Sequence, residues 1–244
     1  MKPASVDSTK RICLWSGPRN ISTALMYSFA QRADTKVYDE PLYAHYLYRT
    51  NANEYHPGAD DVMISLENDG EKVIDMMMGE HEKPIVFFKN MTHHILDLDK
   101  SFLKDTINVI LTRDPVEMLP SFAEVIDNPT MTDVGYQLHI DLVSYLESIA
   151  VKPIIIDSKR ILLDPEKALR ELCEKAGIAF DSDMLSWKMG ARPEDGVWAK
   201  YWYGSIHKST GFMNYNPKLE PFPKHLKPLL EDCKVCYEKL VQLI

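Results

Sequence analysis

The stretch that most constrains the fold is Lys10 to Leu25, KRICLWSGPRNISTAL. Ile12, Cys13, Leu14 and Trp15 form an unbroken apolar run, the pattern of a strand buried on both faces in a parallel sheet. Ser16-Gly17-Pro18 ends that run. From Asn20 onward Ile21, Ala24, Leu25, Ser28 and Phe29 recur at threes and fours, which predicts a helix over 21–31. A strand that turns straight into a helix start leaves the first amides unpaired at the positive end of the helix dipole, a socket for an anion. Arg19 adds a full charge, and Ser22 and Thr23 add hydroxyl donors. Gly17, Pro18, Arg19, Asn20, Ile21, Ser22 and Thr23 therefore read as a phosphate-binding loop. It is not a Walker A loop: the second glycine of that motif falls on Ser22 and its lysine on Thr23, so a Mg-nucleotide hydrolase loses its main support. The plainer alternative is a strand-to-helix turn with an exposed arginine.

The remaining chain repeats the alternation. Short strands are predicted at 35–38, 84–88, 107–112 and 152–157, with helices opening at Pro41, filling 60–78, following Pro115, spanning about 134–150, running 165–177 and closing the chain at 224–243. Asp164 reads as an N-cap and Gly177 as a helix stop. Strands alternating with helices predict a doubly wound, mostly parallel α/β sheet. The segment 187–215 is different. It holds Trp187, Trp198, Tyr201, Trp202, Tyr203, His207 and Lys208 without periodicity, as a covering or binding loop does.

No linker, repeat or low-complexity tract divides the 244 residues, so residues 1–244 are read as one domain. A formal net charge of −8 argues against broad nucleic-acid binding or an anionic membrane surface. The opening MKPASVDSTKR lacks the apolar core of a signal peptide, and no apolar run is long enough to span a bilayer. The expectation is a soluble, cytoplasmic protein. Cys13 and Cys173 fall in core patterns. Cys233 and Cys236 have redox-motif spacing but sit late in a helical run, with no second pair for zinc, and also read as core.

Four polar clusters fall at the carboxyl ends of the predicted strands: the Arg19 loop, Asp39-Glu40, Lys89 with His93, and Arg113 with Ser121. That is where an open α/β sheet binds its ligand. Arg113 ends a strand and Ser121 lies two turns into the next helix, a reach suited to gripping one phosphate from two sides. Taken singly, Arg113-Asp114 also reads as a salt bridge and Ser121 as a helix-face serine. The Tyr43, His45, Tyr46 and Tyr48 helix reads either as half-buried packing or as an acceptor-pocket wall.

Pro18-Arg19-Asn20-Ile21-Ser22-Thr23 resembles the 5′-phosphosulfate loop of sulfotransferases. VILTRDPVEMLPSF, with Arg113 and Ser121, is similar to the family's 3′-phosphate motif. The 156–180 segment resembles its strand-helix unit, and Lys208-Ser209-Thr210-Gly211-Phe212 its late basic-Gly segment. The resemblance covers about residues 10–215 and looks closest to the small bacterial-type and carbohydrate-type members, which share a Glu-Pro after the second strand. It implies a P-loop NTPase-like three-layer α/β/α fold with a central, mostly parallel five-stranded sheet. It also implies metal-free sulfuryl transfer from 3′-phosphoadenosine 5′-phosphosulfate (PAPS) to a hydroxyl or amine of a small-molecule or sugar acceptor, leaving 3′-phosphoadenosine 5′-phosphate (PAP).

On that resemblance Arg19 and the loop amides, with Ser22 and Thr23, take the 5′-phosphosulfate, and Arg113 and Ser121 the 3′-phosphate. Lys208, Gly211 and Phe212 close over the donor. Glu40 matches the base of the carbohydrate-type branch, with Lys89 as electrostatic partner. His93 is the rival base, although the cytosolic branch places its histidine two after the lysine rather than four. Two departures stand out: Ile21 where the family's loop usually has glycine, and Arg19 for the commoner lysine. The competing readings are a nucleotide-dependent kinase on a related fold and a non-catalytic nucleotide- or partner-binding module.

Overall fold

The computed structural model describes residues 9–217 and 220–244; most of the opening segment on which the no-leader expectation rests lies outside them. In chain order the elements are β1 (Lys10–Ser16), α1 (Ser22–Ala30), β2 (Thr35–Asp39), α2 (Tyr43–Arg49), α3 (Ala59–Ser65), α4 (Gly70–Met78), β3 (Ile85–Met91) and β4 (Ile107–Thr112). Then come α5 (Pro115–Phe122), α6 (Met131–Val134), α7 (Tyr136–Ser148), β5 (Ile154–Asp157), α8 (Ser158–Leu163), α9 (Pro165–Lys175), α10 (Ala199–Trp202) and α11 (Lys227–Val241).

The five strands form one all-parallel sheet in the order β2-β3-β1-β4-β5. Alternation along β1 explains why the central strand is apolar throughout. Ile12 and Leu14 pack on the face covered by α1 and α9, through Leu25, Phe29, Leu169 and Leu172. Cys13 and Trp15 pack on the opposite face against α4, α7 and α11, through Val73, Met77, Leu146 and Leu240. Three layers follow from that two-sided burial. Phe29 stacks on Phe87 at 4.2 Å between centroids, tying α1 to β3.

Two boundaries differ from the sequence pattern. β3 runs on through Lys89, Asn90 and Met91, so Lys89 lies inside a strand rather than beyond its end. A lysine is tolerated there because its charge is paired. The stretch 158–163, with no readable period, forms the short helix α8, capped by the Asp157 carboxylate accepting from Lys159 N at 2.6 Å. All four cysteines are buried and unpaired, as their core patterns predict. Among the described residues, no helix is long and apolar enough to cross a membrane.

Candidate active site

The parallel register brings Ser16, Asp39, Met91, Thr112 and Asp157 to one edge of the sheet, and the loop after β1 rises from the centre of that edge. Gly17 is required by contact: a Cβ there would stand 2.7 Å from the Val134 carbonyl of α6. Arg19 (φ 55°) and Ile21 (φ 64°) both take the left-handed conformation. Ile21 thus adopts the backbone that glycine supplies freely, at a cost on the order of 1–3 kcal/mol for a β-branched residue. Its departure from the family's glycine changes the strain of the loop and leaves the left-handed turn in place. The loop is tied down beneath: Asn20 Nδ2 donates to Leu111 O at 2.8 Å, and Ser158 Oγ donates to Asn20 O at 2.8 Å. No side chain caps the amino end of α1.

Arg19 Nε donates to Ser121 Oγ at 2.9 Å, and Arg113 donates to the Arg19 carbonyl at 2.6 Å. Arg113 and Ser121, from the end of β4 and from α5, therefore both hold Arg19 of the loop. Burial, with the Arg113 charge acting in the same sense, lowers the Arg19 guanidinium pKa. Two guanidinium groups crowd one spot, partly balanced by Glu117, which lies 3.4 Å from Arg113 Nε and accepts from Tyr215 OH at 2.5 Å. Two adjacent guanidinium groups give this corner of the cavity a locally positive potential.

Across the cavity, Lys89 is 1 % exposed. Its Nζ donates to Asp39 Oδ1 at 2.8 Å, to Tyr203 OH at 2.7 Å and to Glu40 Oε1. Burial disfavours the ammonium, but Asp39 and Glu40 outweigh it and lift its pKa well above the usual lysine range. Burial raises the Glu40 carboxyl, Lys89 opposes, and the Asp39 charge adds to the rise. Burial first, and the second carboxylate after it, raise the proton affinity of Glu40. Glu40 is itself held at φ 44°, its amide donating to Lys89 O at 2.7 Å. Asp39 also receives Tyr203 OH and the Gly196 amide, so the irregular segment after β5 is anchored to the buried pair.

One cavity of about 390 Å³ joins these groups. Pro18, Arg19, Asn20, Ile21, Ser22, Thr23, Glu40, Lys89, His93, Arg113, Ser121, Gly211 and Phe212 all line it. Gly17, buried at the start of the loop, is not in the lining. Lys208 is exposed and is not in the lining, which takes Ile206 and Ser209 from either side of it. His93 sits in the turn after β3 with Nδ1 buried and unpartnered; burial, reinforced by His56, drives its pKa to about 3. Tyr203, His56 and His94 also line the cavity and were not among the candidate site residues. Asp39 was legible as half of the acidic pair, whereas Tyr203 lies 164 residues from its partner in a segment with no pattern.

Residues 10–236 match the sulfotransferase domain family. The chain belongs to that family. Three solved sulfotransferases share the fold: the sulfotransferase domain of the Synechococcus PCC 7002 olefin synthase (TM-score 0.55, 16 % identity, 95 % of this chain and 97 % of that one), that of the curacin biosynthetic pathway (0.52, 14 %, 93 % and 98 %), and the sulfotransferase from Alicyclobacillus acidocaldarius (0.51, 13 %, 76 % and 87 %). Two Arabidopsis thaliana proteins are 40 % identical: branched-chain-amino-acid aminotransferase-like protein 2 over 228 residues and protein 1 over 219 residues, covering 93 % and 89 % of this chain. The chain spans 40 % and 39 % of their lengths.

Proposed function

We propose that the chain transfers a sulfuryl group from PAPS to a hydroxyl of a small-molecule acceptor. The observation that carries this is the Arg19–Ser121–Arg113 cluster at the uncapped end of α1, facing Glu40 across one cavity. A donor with two anionic ends fits residues that offer two guanidinium groups, hydroxyls and free helix amides. Arg19, Ser22, Thr23 and the loop amides would bind the phosphosulfate end, and Arg113 with Ser121 the 3′-phosphate. When bound, PAPS supplies the activated sulfuryl group; the chain supplies position and charge. Gly211 and Phe212, on the covering segment, would close over the nucleotide.

Glu40 is the favoured base. Taking the acceptor's proton neutralises the excess carboxylate and leaves Lys89 balanced by Asp39. His93, with its pKa near 3, holds a proton poorly, and its Nδ1 has no partner to orient the ring. Lys89 fixes Glu40 and, through Tyr203, the covering segment. Assay of turnover and PAP affinity in Glu40→Gln tests the assignment: turnover should collapse while PAP affinity stays near wild type. Equal loss of both would remove Glu40 from the chemistry.

A further inference from the structure

The helix that carries Ser121 also brings a carboxylate into the positive corner of the cavity. Arg113 stands just past β4, and Glu117 and Ser121 lie four residues apart on α5, which follows it. All three line the cavity. Glu117 is 7 % exposed, beside Arg113 and one turn before Ser121. A buried carboxylate is costly there unless its charge is matched.

The match with Arg113 is loose. Arg113 Nε and one terminal nitrogen both approach the same oxygen, Oε2, at 3.4 and 3.5 Å, rather than gripping two oxygens with a fork. Arg113 is also positioned by other groups: its guanidinium donates to Arg19 O at 2.6 Å, and its own carbonyl accepts from Tyr136 OH at 2.6 Å. The second carboxylate oxygen, Glu117 Oε1, accepts from Tyr215 OH at 2.5 Å, and Tyr215 lines the cavity too. That hydroxyl holds the charge in the wall. Glu124, the other carboxylate acting on Arg19, is exposed and outside the lining. A phosphate held by Arg113 and Ser121 would bring a charge of about −1.5 to −2 against Glu117. Burial leaves that repulsion weakly screened by water and salt.

We propose that Glu117 limits how long the nucleotide stays: its charge opposes the 3′-phosphate, so PAP leaves faster than the two guanidinium groups alone would release it. The inference rests on the reading of the Arg19 cluster as the donor site. A carboxylate that served only to orient Arg113 would act in the opposite sense, because its removal would loosen the arginine and weaken binding.

The test is calorimetric titration with PAP and with 5′-AMP, which lacks the 3′-phosphate, together with stopped-flow dissociation of PAP. Glu117→Gln keeps the size of the side chain and an oxygen for Tyr215. It should bind PAP fivefold or more tighter, with slower dissociation, while AMP affinity changes less than twofold. Glu117→Asp suits the first turn of a helix and draws the charge back by one methylene. It should tighten PAP by a smaller factor, and it decides the matter if Glu117→Gln does not fold. Glu124→Gln, which removes an exposed charge, should leave PAP affinity within twofold. Weaker PAP binding in either Glu117 variant, an equal gain for AMP, or the same gain from Glu124→Gln overturns the proposal. Tight PAP binding by the wild type with no gain in Glu117→Gln overturns this inference alone. Failure of the wild type to bind PAP overturns the donor-site reading and this inference with it.

Discussion

Replacing Lys89 by Met leaves two buried carboxylates without their shared cation. The ammonium is 1 % exposed and holds Asp39, Glu40 and Tyr203 at once, so solvent cannot take its place. Removing one partner of a buried ion pair costs about 3–5 kcal/mol. For a chain of this size 1 kcal/mol moves the melting temperature by about 2–4 °C, giving an expected fall of roughly 6–20 °C. The pH dependence has a definite sign. Glu40 already holds its proton more tightly than an ordinary glutamate, and without Lys89 the rise is larger. A carboxylate with a raised folded-state pKa stabilises the fold at low pH, and that contribution is lost as pH rises through the folded value. The deficit of Lys89→Met relative to wild type should therefore shrink at pH 5.5 and widen at pH 8. Adding Asp39→Asn, which removes one stranded charge, should recover part of it. Thermal melts of the three proteins at both pH values check this. A wild-type melting temperature for Lys89→Met at pH 8, or a deficit that grows on acidification, refutes the buried-charge account.

Three further outcomes follow from the same geometry. Glu40→Gln should lower kcat by about 10²–10⁴-fold; a His93→Phe variant that loses turnover while Glu40→Gln keeps it reverses the assignment of the base. His56, His93 and His139 have pKa values depressed by burial to about 4, 3 and 4. Such groups stabilise the fold above their unfolded value, and the contribution is lost as pH falls toward the folded one. Urea unfolding should show about 1.4 kcal/mol lost per histidine per pH unit below pH ~6.5, and a flat profile from pH 7 to 5 contradicts this. Ile21→Gly should leave PAP affinity within about threefold and stability within about 1 kcal/mol, because relief of the left-handed strain offsets the lost packing of a partly buried side chain; loss of PAP binding would show that the Ile21 side chain itself shapes the site.

Much of the fold was legible because burial writes a period into the chain. β1, β4 and the capped helix α9 were readable from apolar runs and from Asp164. The end of β3 was not, since Lys89-Asn90-Met91 reads as polar, and only the distant Asp39 and Glu40 make a strand lysine affordable. The Arg19, Arg113 and Ser121 convergence was readable from positions at strand ends. Tyr203 was not, because its hydrogen bond to Asp39 spans the chain and its own segment carries no repeat. Lys208, drawn in by the basic-Gly pattern, is exposed and lies outside the cavity lining.

The central claim is that the Arg19–Ser121–Arg113 cluster is the donor-binding site. Calorimetric titration with PAP, ADP and ATP, each with and without magnesium, tests it most directly. The account predicts tight, magnesium-independent binding of PAP alone, weakened at least tenfold by Arg113→Ala. A preference for Mg-ATP, or PAP binding that is indifferent to Arg113→Ala, contradicts it.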